Sequence, residues 1–141
     1  MARVDLEFLP AGNALVPTVP FAFKVLGGSP ARLFENALLD TGSHCTVLAK
    51  RLLLQNGFRC DGFPAAPGGI HGLGGETAAQ IVPRARVALR ANEGSYQAVN
   101  LPSVHILPHD MVPIIGRDVM EAFSARLSID FHEKTGHLDL G

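Results

Sequence analysis

One tripeptide of this 141-residue sequence combines residue types that could carry acid–base chemistry. Asp40-Thr41-Gly42 directly follows the apolar run Ala37-Leu38-Leu39. An aspartate at the end of a buried strand is partly removed from water, and a carboxylate held there is a candidate for proton transfer. The competing interpretation is an ordinary turn after a strand, because aspartate and glycine both favour turns. The tripeptide therefore marks a candidate site that needs support from other segments.

A second segment is dense in glycine. Its glycines are Gly68, Gly69, Gly72, Gly74 and Gly75. A hairpin tip with so few side chains to pack can open to admit a ligand and close over it, although a plain flexible loop is the simpler alternative. A phosphate-binding loop does not fit, because Gly74 is followed by Gly75 and Glu76 and by no lysine. The dinucleotide fingerprint does not fit either, because Thr77 occupies its third glycine position.

Two histidines and an aspartate have a spacing loosely like that of metal ligands. They are His105, His109 and Asp110. The same region contains Pro102, Pro108 and Pro113. These prolines predict a loop and not the helix that would aim both imidazole rings the same way, so we interpret the histidines as solvated. A zinc hydrolase is the weaker alternative, and we expect no metal and no other cofactor.

The elements that position these residues are mostly strands. The sequence has 15 glycines and 10 prolines, a density that disfavours long helices. Apolar residues alternate from Val19 to Val25, and Leu33 to Leu39 predicts a second strand. From Ile81 to Leu89 the odd-numbered residues are predicted to face the core, with arginines opposite. The stretch from Ala125 to Leu140 predicts a hairpin that turns through Lys134-Thr135-Gly136.

Two short helices complete the prediction. Ala49 to Gln55 forms the first, which Asn56-Gly57 ends. Arg117 to Phe123 forms the second, with Val119 and Met120 on its apolar side.

Composition limits the classes of protein that the chain can represent. Hydrophobic residues make up 47% and charged residues 18%, which predicts one folded domain over residues 1–141. The net charge of −1 offers no basic surplus for nucleic acid. No apolar run approaches the roughly 18 residues of a membrane span. Met1 to Pro10 lacks the apolar stretch of a signal peptide, so we expect a cytoplasmic protein. Cys45 and Cys60 are interpreted as small apolar side chains.

Three segments, in order, resemble the retropepsin-like, retroviral-type aspartic protease family. The first runs from Leu38 through Asp40-Thr41-Gly42-Ser43 to Leu48 and resembles the catalytic segment. Gly72-Leu73-Gly74-Gly75 resembles the flap tip, and Ile114-Ile115-Gly116-Arg117-Asp118 resembles the segment before the family's helix. The resemblance implies an all-β, closed-barrel-like acid protease fold with one or two short helices.

The resemblance also implies an activity. Asp40 would be the catalytic residue of an aspartic endopeptidase, and Asp40 of a second chain would supply the other carboxylate in a homodimer that cleaves a peptide or protein substrate. Thr41, Gly42 and Ser43 would support the active site. The flap residues Gly72, Leu73, Gly74 and Gly75 would bind substrate. Near the site, structural roles would fall to Ile115, Gly116, Arg117 and Asp118. The alternative is a retropepsin-like dimerisation or binding module without efficient turnover.

Two positions depart from the family pattern. His44 stands where the retroviral enzymes have an acidic residue, so the usual partner of Arg117 is missing. Ser43 replaces the usual alanine, and we expect its hydroxyl to donate a hydrogen bond to the paired carboxylates. By the same resemblance, the terminal strands around Val4 to Leu9 and His137 to Leu140 are expected to pair across chains.

Overall fold

A computed structural model describes residues 2–28, 30–72 and 75–141. Within these ranges the chain forms strands β1 to β12 and helices α1 and α2. The strands are β1 (Ala2–Asp5), β2 (Glu7–Ala11), β3 (Ala14–Val25), β4 (Leu33–Leu39), β5 (Val47–Ala49), β6 (Ile70–Gly72), β7 (Gly75–Thr77), β8 (Gln80–Arg90), β9 (Tyr96–Leu107), β10 (Ile114–Ile115), β11 (Arg126–Asp130) and β12 (Thr135–Leu140). The helices are α1 (Lys50–Gln55) and α2 (Arg117–Ala122). No helix in the described ranges is long and apolar enough to cross a membrane.

The main sheet closes on itself. Its strand order is β2-β3-β4-β10-β5-β9-β8, and β8 also pairs with β3. This extra pairing closes a ring of six strands from β3 to β8 and leaves β2 outside the ring. Large apolar side chains fill the interior: Phe21, Phe23, Leu33, Leu48, Leu89, Ile106 and Ile115. The predicted all-β, closed-barrel-like fold with two short helices is confirmed.

Local sequence patterns account for several of these elements. Strand β4 has the bounds that its apolar run predicted, and the alternation along β3 buries Val19, Phe21 and Phe23. Helix α1 ends at Gln55, followed by Gly57 with a φ of +85°, a backbone conformation that favours glycine. Helix α2 is one residue shorter than its prediction.

The predicted inward face of β8 is wrong over its first half. Ala85, Val87 and Leu89 are buried as expected, but Val82 is buried in place of the exposed Pro83. Arg84 explains the change, because its φ of +55° breaks the alternation of the strand. Its carbonyl turns to accept a hydrogen bond from the Leu26 N–H at 2.8 Å.

The predicted loop around His105 is also wrong. His105 lies in β9, opposite Ile81 of β8 and Val47 of β5. Pro102, which lacks an N–H, is tolerated in this strand because it falls opposite Arg84, where the ladder is interrupted. His109 is exposed in the turn after β9, as predicted.

The two ends of the chain form a second sheet with the order β1-β12-β11. The predicted hairpin of β11 and β12 is confirmed. Val4 lies opposite Leu138 of the same chain, so β1 and β12 pair within one chain and not across chains as expected. A bidentate ion pair fastens them, with Arg3 Nε and Nη2 lying 2.7 and 3.2 Å from the two carboxylate oxygens of Asp139.

Candidate functional site

Asp40 stands at the end of β4, where a parallel partner strand supports it. Leu38 and Leu39 of β4 lie opposite Ile114 and Ile115 of β10. One residue further on, the Asp40 N–H donates to the Ile115 carbonyl at 3.1 Å. Leu39 is buried while Asp40 is partly exposed, so the aspartate leaves the core at the position where its strand ends. Two adjacent parallel strands therefore fix its backbone.

The turn after β4 holds the Asp40 carboxylate. The Gly42 N–H donates to Asp40 Oδ1 at 2.9 Å, and the Ser43 N–H donates to the Asp40 carbonyl at 3.2 Å. A Cβ added to Gly42 would lie 3.2 Å from Asp40 Oδ1, which is tighter than ordinary contact. Glycine thus lets the backbone close around the carboxylate and orient it.

The residues next to Asp40 are presented to solvent in the single chain. Thr41 and Gly42 are exposed, and the Thr41 hydroxyl makes no hydrogen bond with any described residue. Ser43 corrects an expectation, because its hydroxyl donates to the Cys45 carbonyl at 2.7 Å and not to a carboxylate. The Ser43 side chain therefore stabilises the backbone of residues 43 to 45.

A buried hydrogen-bond network lies behind the Asp40 turn. The Asp118 carboxylate accepts from the Thr46 N–H at 2.9 Å and from the Thr46 hydroxyl at 2.8 Å. The Gly116 N–H donates to Thr46 Oγ1 at 3.2 Å, and the Val119 N–H donates to Asp118 Oδ1 at 2.8 Å. Thr46 is fully buried, so these bonds replace the water that its polar atoms have lost. Asp118 was predicted to be structural; the central position of Thr46 was not predicted, although a threonine directly before the apolar run Val47-Leu48-Ala49 was the available signal.

Gly116 allows α2 to approach this loop closely. A Cβ built on it would lie 2.4 Å from the Cys45 carbonyl oxygen and 2.5 Å from the carbonyl carbon. The next residue, Arg117, donates its N–H to the Ser43 carbonyl at 2.8 Å. The start of α2 is therefore packed directly on the backbone of residues 43 to 45.

His44 and Arg117 contact each other beside the turn. A guanidinium nitrogen of Arg117 lies against the imidazole ring of His44. Among the described residues no carboxylate forms an ion pair with Arg117, and its buried Nε has no hydrogen-bond partner. The replacement of the family's acidic residue by histidine thus leaves a cation without an anionic partner in the described chain.

An apolar cavity lies next to the strand that carries Asp40. It has a volume of about 510 Å³, and Leu38 lines it together with apolar residues of the segment before β10 and of β2 and β3. These are Leu9, Val16, Met111, Val112 and Pro113. Asp40 is not among the lining residues, but Leu38 precedes it by two positions and so leaves the strand on the same side. Arg51 and Asp110, which also line the cavity, form an exposed ion pair at 3.0 Å.

The predicted flap corresponds to a separate hairpin. Strands β6 and β7 pair with Gly72 opposite Gly75, while Leu73 and Gly74 lie outside the described residues. At the base of the hairpin, Gly69 has a φ of +64°, and a Cβ there would lie 2.3 Å from the Thr77 carbonyl oxygen. Only glycine fits both the conformation and the space at this position.

Histidines and cysteines form no cluster in the described part of the chain. No group of three or more histidine, cysteine, aspartate or glutamate residues there could hold a metal ion. Cys45 and Cys60 are free thiols, and burial raises the pKa of both. Neither environment favours the reactive thiolate.

Known proteins resemble this chain in sequence and in fold. A family model described as retroviral aspartyl protease matches residues 23–128. The EIAV protease complexed with the inhibitor HBY-793 is 21% identical over 86% of this chain and 100% of that chain, with a TM-score of 0.53. A retropepsin-like aspartic protease from Rickettsia conorii is 14% identical over 96% of this chain and 89% of that chain, with a TM-score of 0.55. At these identities the two structures support the fold alone. No curated protein matches the chain in sequence.

Proposed function

This chain belongs to the retroviral aspartyl protease family, and we propose on that basis that it is an aspartic endopeptidase acting as a homodimer. The observation that carries the proposal is the position of Asp40 at the end of β4, with its carboxylate oriented by the Gly42 N–H. A turn that served only to reverse the chain would need no such support from two parallel strands.

The need for a second chain follows from the number of suitable carboxylates. The sequence contains one Asp-Thr-Gly segment, and the aspartic protease mechanism activates its water with two adjacent carboxylates. Thr41 and Gly42, which follow Asp40, are exposed in the single chain. Exposure of this turn suits a two-fold axis at which the same residues of a second copy face it.

Strand β11 offers a second element for the dimer contact. In the terminal sheet β12 is central, whereas β11 is at the edge, and no described strand pairs with its outer side. An unpaired edge is a ready template for a strand of another chain. Antiparallel pairing of β11 with its own copy would satisfy these backbone groups and is compatible with two-fold symmetry. This pairing replaces the expected contact through β12, whose two edges are already occupied.

The proposed chemistry uses only the two carboxylates and water. The carboxylates share one proton, because two like charges so close together do not both ionise. The ionised group accepts a proton from a water between them, and the protonated group donates to the carbonyl oxygen of the peptide as the water attacks the carbonyl carbon. A proton then passes to the amide nitrogen, and the C–N bond breaks to release an amine and a carboxylic acid. No covalent intermediate with the protein forms.

The cavity beside Leu38 supplies a place for a substrate side chain. Its lining is largely apolar, and Met111 and Val112 contribute flexible and exposed apolar surface. Sites of this kind bind through apolar contact and orient the ligand with a few polar groups. We therefore expect a preference for large apolar residues next to the cleaved bond.

The test is a comparison of two aspartate variants. Purified chain is incubated with a library of unstructured peptides, and products are identified by mass spectrometry. Asp40→Asn should abolish cleavage, whereas Asp61→Asn, in an exposed turn, should cleave as the wild type does. Cleavage by Asp40→Asn at the wild-type rate would overturn the assignment. Absence of cleavage by folded, dimeric wild-type chain would favour a binding module instead.

A further inference from the structure

The outer face of the barrel carries a groove with a floor of small residues. Ala22 of β3, Ala88 of β8 and Ala98 of β9 are aligned across three adjacent strands, with Ala22 opposite Ala88 and Ala88 opposite Ala98. They line a cavity of about 280 Å³. An alanine side chain ends at Cβ. Three alanines side by side therefore leave a depression in the surface, which larger side chains at the same positions would fill.

Two aromatic side chains stand over this floor. Phe34 of β4 lies opposite Ala22, and Tyr96 of β9 is two positions from Ala98. Their ring centroids are 6.1 Å apart with an interplanar angle of 71°, an edge-to-face arrangement. Phe34 remains 60% exposed and Tyr96 46% exposed, which places both among the most exposed large apolar side chains described.

Three cations border the same cavity, and no acidic residue lines it. Lys24 lies opposite Arg86 on the neighbouring strand, and Arg32 precedes Phe34 by two positions. Arg86 donates to the Asn100 side-chain oxygen at 2.9 Å, and Arg32 donates to the Pro30 carbonyl at 2.9 Å. Among the described residues none of the three forms an ion pair. In a chain of net charge −1, this local positive charge is a feature of the groove and not of the whole protein.

We propose that this aromatic–cationic groove, formed by Lys24, Arg32, Phe34, Arg86 and Tyr96 over the alanine floor, binds an acidic peptide segment that carries one aromatic or large aliphatic side chain. The apolar side chain contacts the alanines and the two rings. Carboxylates on either side of it pair with the cations, and arginine can bind them in a bidentate manner. Exposed aromatic residues together with arginine are typical of the residues that dominate binding energy in protein interfaces.

The groove is separate from the candidate active site. Phe34 of β4 and Asp40, the residue that follows β4, are six positions apart, which is about 20 Å at the rise of a strand. Binding at the groove does not require peptide hydrolysis, so the proposal stands independently of the catalytic assignment.

The geometry favours a peptide over other anionic partners. Single-stranded nucleic acid binds by stacking bases on open ring faces along a basic track, whereas these two rings stand against each other. The cations surround one small cavity and do not form such a track. A membrane surface is broad and presents headgroups, and it offers no single apolar side chain that could enter the small cavity over the three alanines.

Fluorescence polarisation tests the proposal with the full chain. The probe is a dye-labelled peptide, Glu-Asp-Phe-Asp-Glu, and its integrity is checked by mass spectrometry. Two comparison peptides replace its phenylalanine by serine or its acidic residues by lysine. We expect saturable binding of the first peptide, at least about tenfold weaker binding of the other two, and weakening by salt. Phe34→Ala and the double variant Lys24→Gln, Arg86→Gln should each weaken binding by at least about tenfold.

Matched controls separate the groove from general surface charge. Leu54→Ala and Arg59→Gln remove an exposed apolar side chain and an exposed cation elsewhere, and both should bind as the wild type does. Equal binding of the three peptides, or unchanged binding by both groove variants in folded protein, would overturn the proposal. Tighter binding of a ten-residue oligothymidine or of anionic lipid vesicles than of the acidic peptide would overturn it as well.

Discussion

Thr46 and Asp118, which lie 72 positions apart in sequence, form a partly buried pair in which one carboxylate accepts hydrogen bonds from both the N–H and the hydroxyl of the threonine. The pair joins the residue that precedes β5 to α2. The Gly116 N–H donates to the same hydroxyl, so Thr46 connects the loop after Asp40 to two residues at the start of α2, Gly116 and Asp118. The shape of the candidate site therefore depends on a contact that no local sequence pattern shows.

Removal of the Thr46 hydroxyl should destabilise the fold. Thr46→Val keeps the shape of the side chain but leaves the buried Gly116 N–H without an acceptor and removes one of the two donors to Asp118 Oδ1. The cost of such buried unpaired groups is about 1–3 kcal/mol in the free energy of unfolding. Urea denaturation followed by circular dichroism measures it. The exposed Thr135 provides the control, and an equal effect of Thr135→Val would contradict the account.

The close approach at Gly116 predicts a second loss of stability. Gly116→Ala places a Cβ 2.4 Å from the Cys45 carbonyl oxygen, so either α2 or the loop must move. Overpacking of this kind costs about 1–3 kcal/mol. A Cβ on Gly62 would point into open space, and the φ of Gly62 is not positive, so Gly62→Ala should leave stability nearly unchanged. Equal denaturation midpoints for Gly116→Ala and Gly62→Ala would show that the short distance between Gly116 and Cys45 does not exclude a side chain at position 116.

Gly68 and Gly69 provide a matched pair for the flap. Both have positive φ, but only at Gly69 would a Cβ meet the Thr77 carbonyl, at 2.3 Å. If the β6–β7 hairpin binds substrate, Gly69→Ala should lower kcat/KM for peptide cleavage more than Gly68→Ala does. Global stability should change little in either variant, because the hairpin is a separate two-stranded sheet. Equal kcat/KM values for the two variants would argue that the hairpin base does not shape the substrate site.

The ion pair between Arg3 and Asp139 predicts a pH-dependent contribution to stability. The hydrogen bond from Arg3 lowers the pKa of Asp139 from its ordinary value of 3.8. Because the folded-state pKa is the lower one, the contribution is present above pH 3.8 and is lost as the pH falls through the folded pKa. Arg3→Gln should therefore lower Tm at neutral pH, and the difference from the wild type should shrink in strong acid. Arg59→Gln, which removes an exposed arginine that forms no ion pair with any described residue, is the control. A difference between Arg3→Gln and the wild type that grows towards acid would contradict the prediction.

Part of this molecule could be predicted from short stretches of sequence. The bounds of β4 and the end of α1 follow from apolar alternation and from Asn56-Gly57, because those signals act within a few residues. The shift of β8 could not be predicted, since it depends on a positive φ at Arg84 that periodicity does not show.

The contacts around the candidate site were less predictable than the strands. The Ser43 hydroxyl bonds to the Cys45 carbonyl, and the contact of His44 with Arg117 depends on the fold bringing two distant segments together. A single domain over residues 1–141 and a cytoplasmic location stay predictions.

The central claim is that two copies of Asp40 form one active site, and subunit mixing tests it most directly. Wild-type chains are mixed with a ninefold excess of Asp40→Asn chains at a concentration well above the dimer dissociation constant, and peptide cleavage is measured after exchange. If the chains pair at random, cleavage per wild-type chain should fall to about one tenth, because most wild-type chains then have a partner without the carboxylate. An equal excess of Asp61→Asn chains should not reduce it. Unchanged cleavage per wild-type chain in the Asp40→Asn mixture, with heterodimers shown to form, would contradict the shared active site.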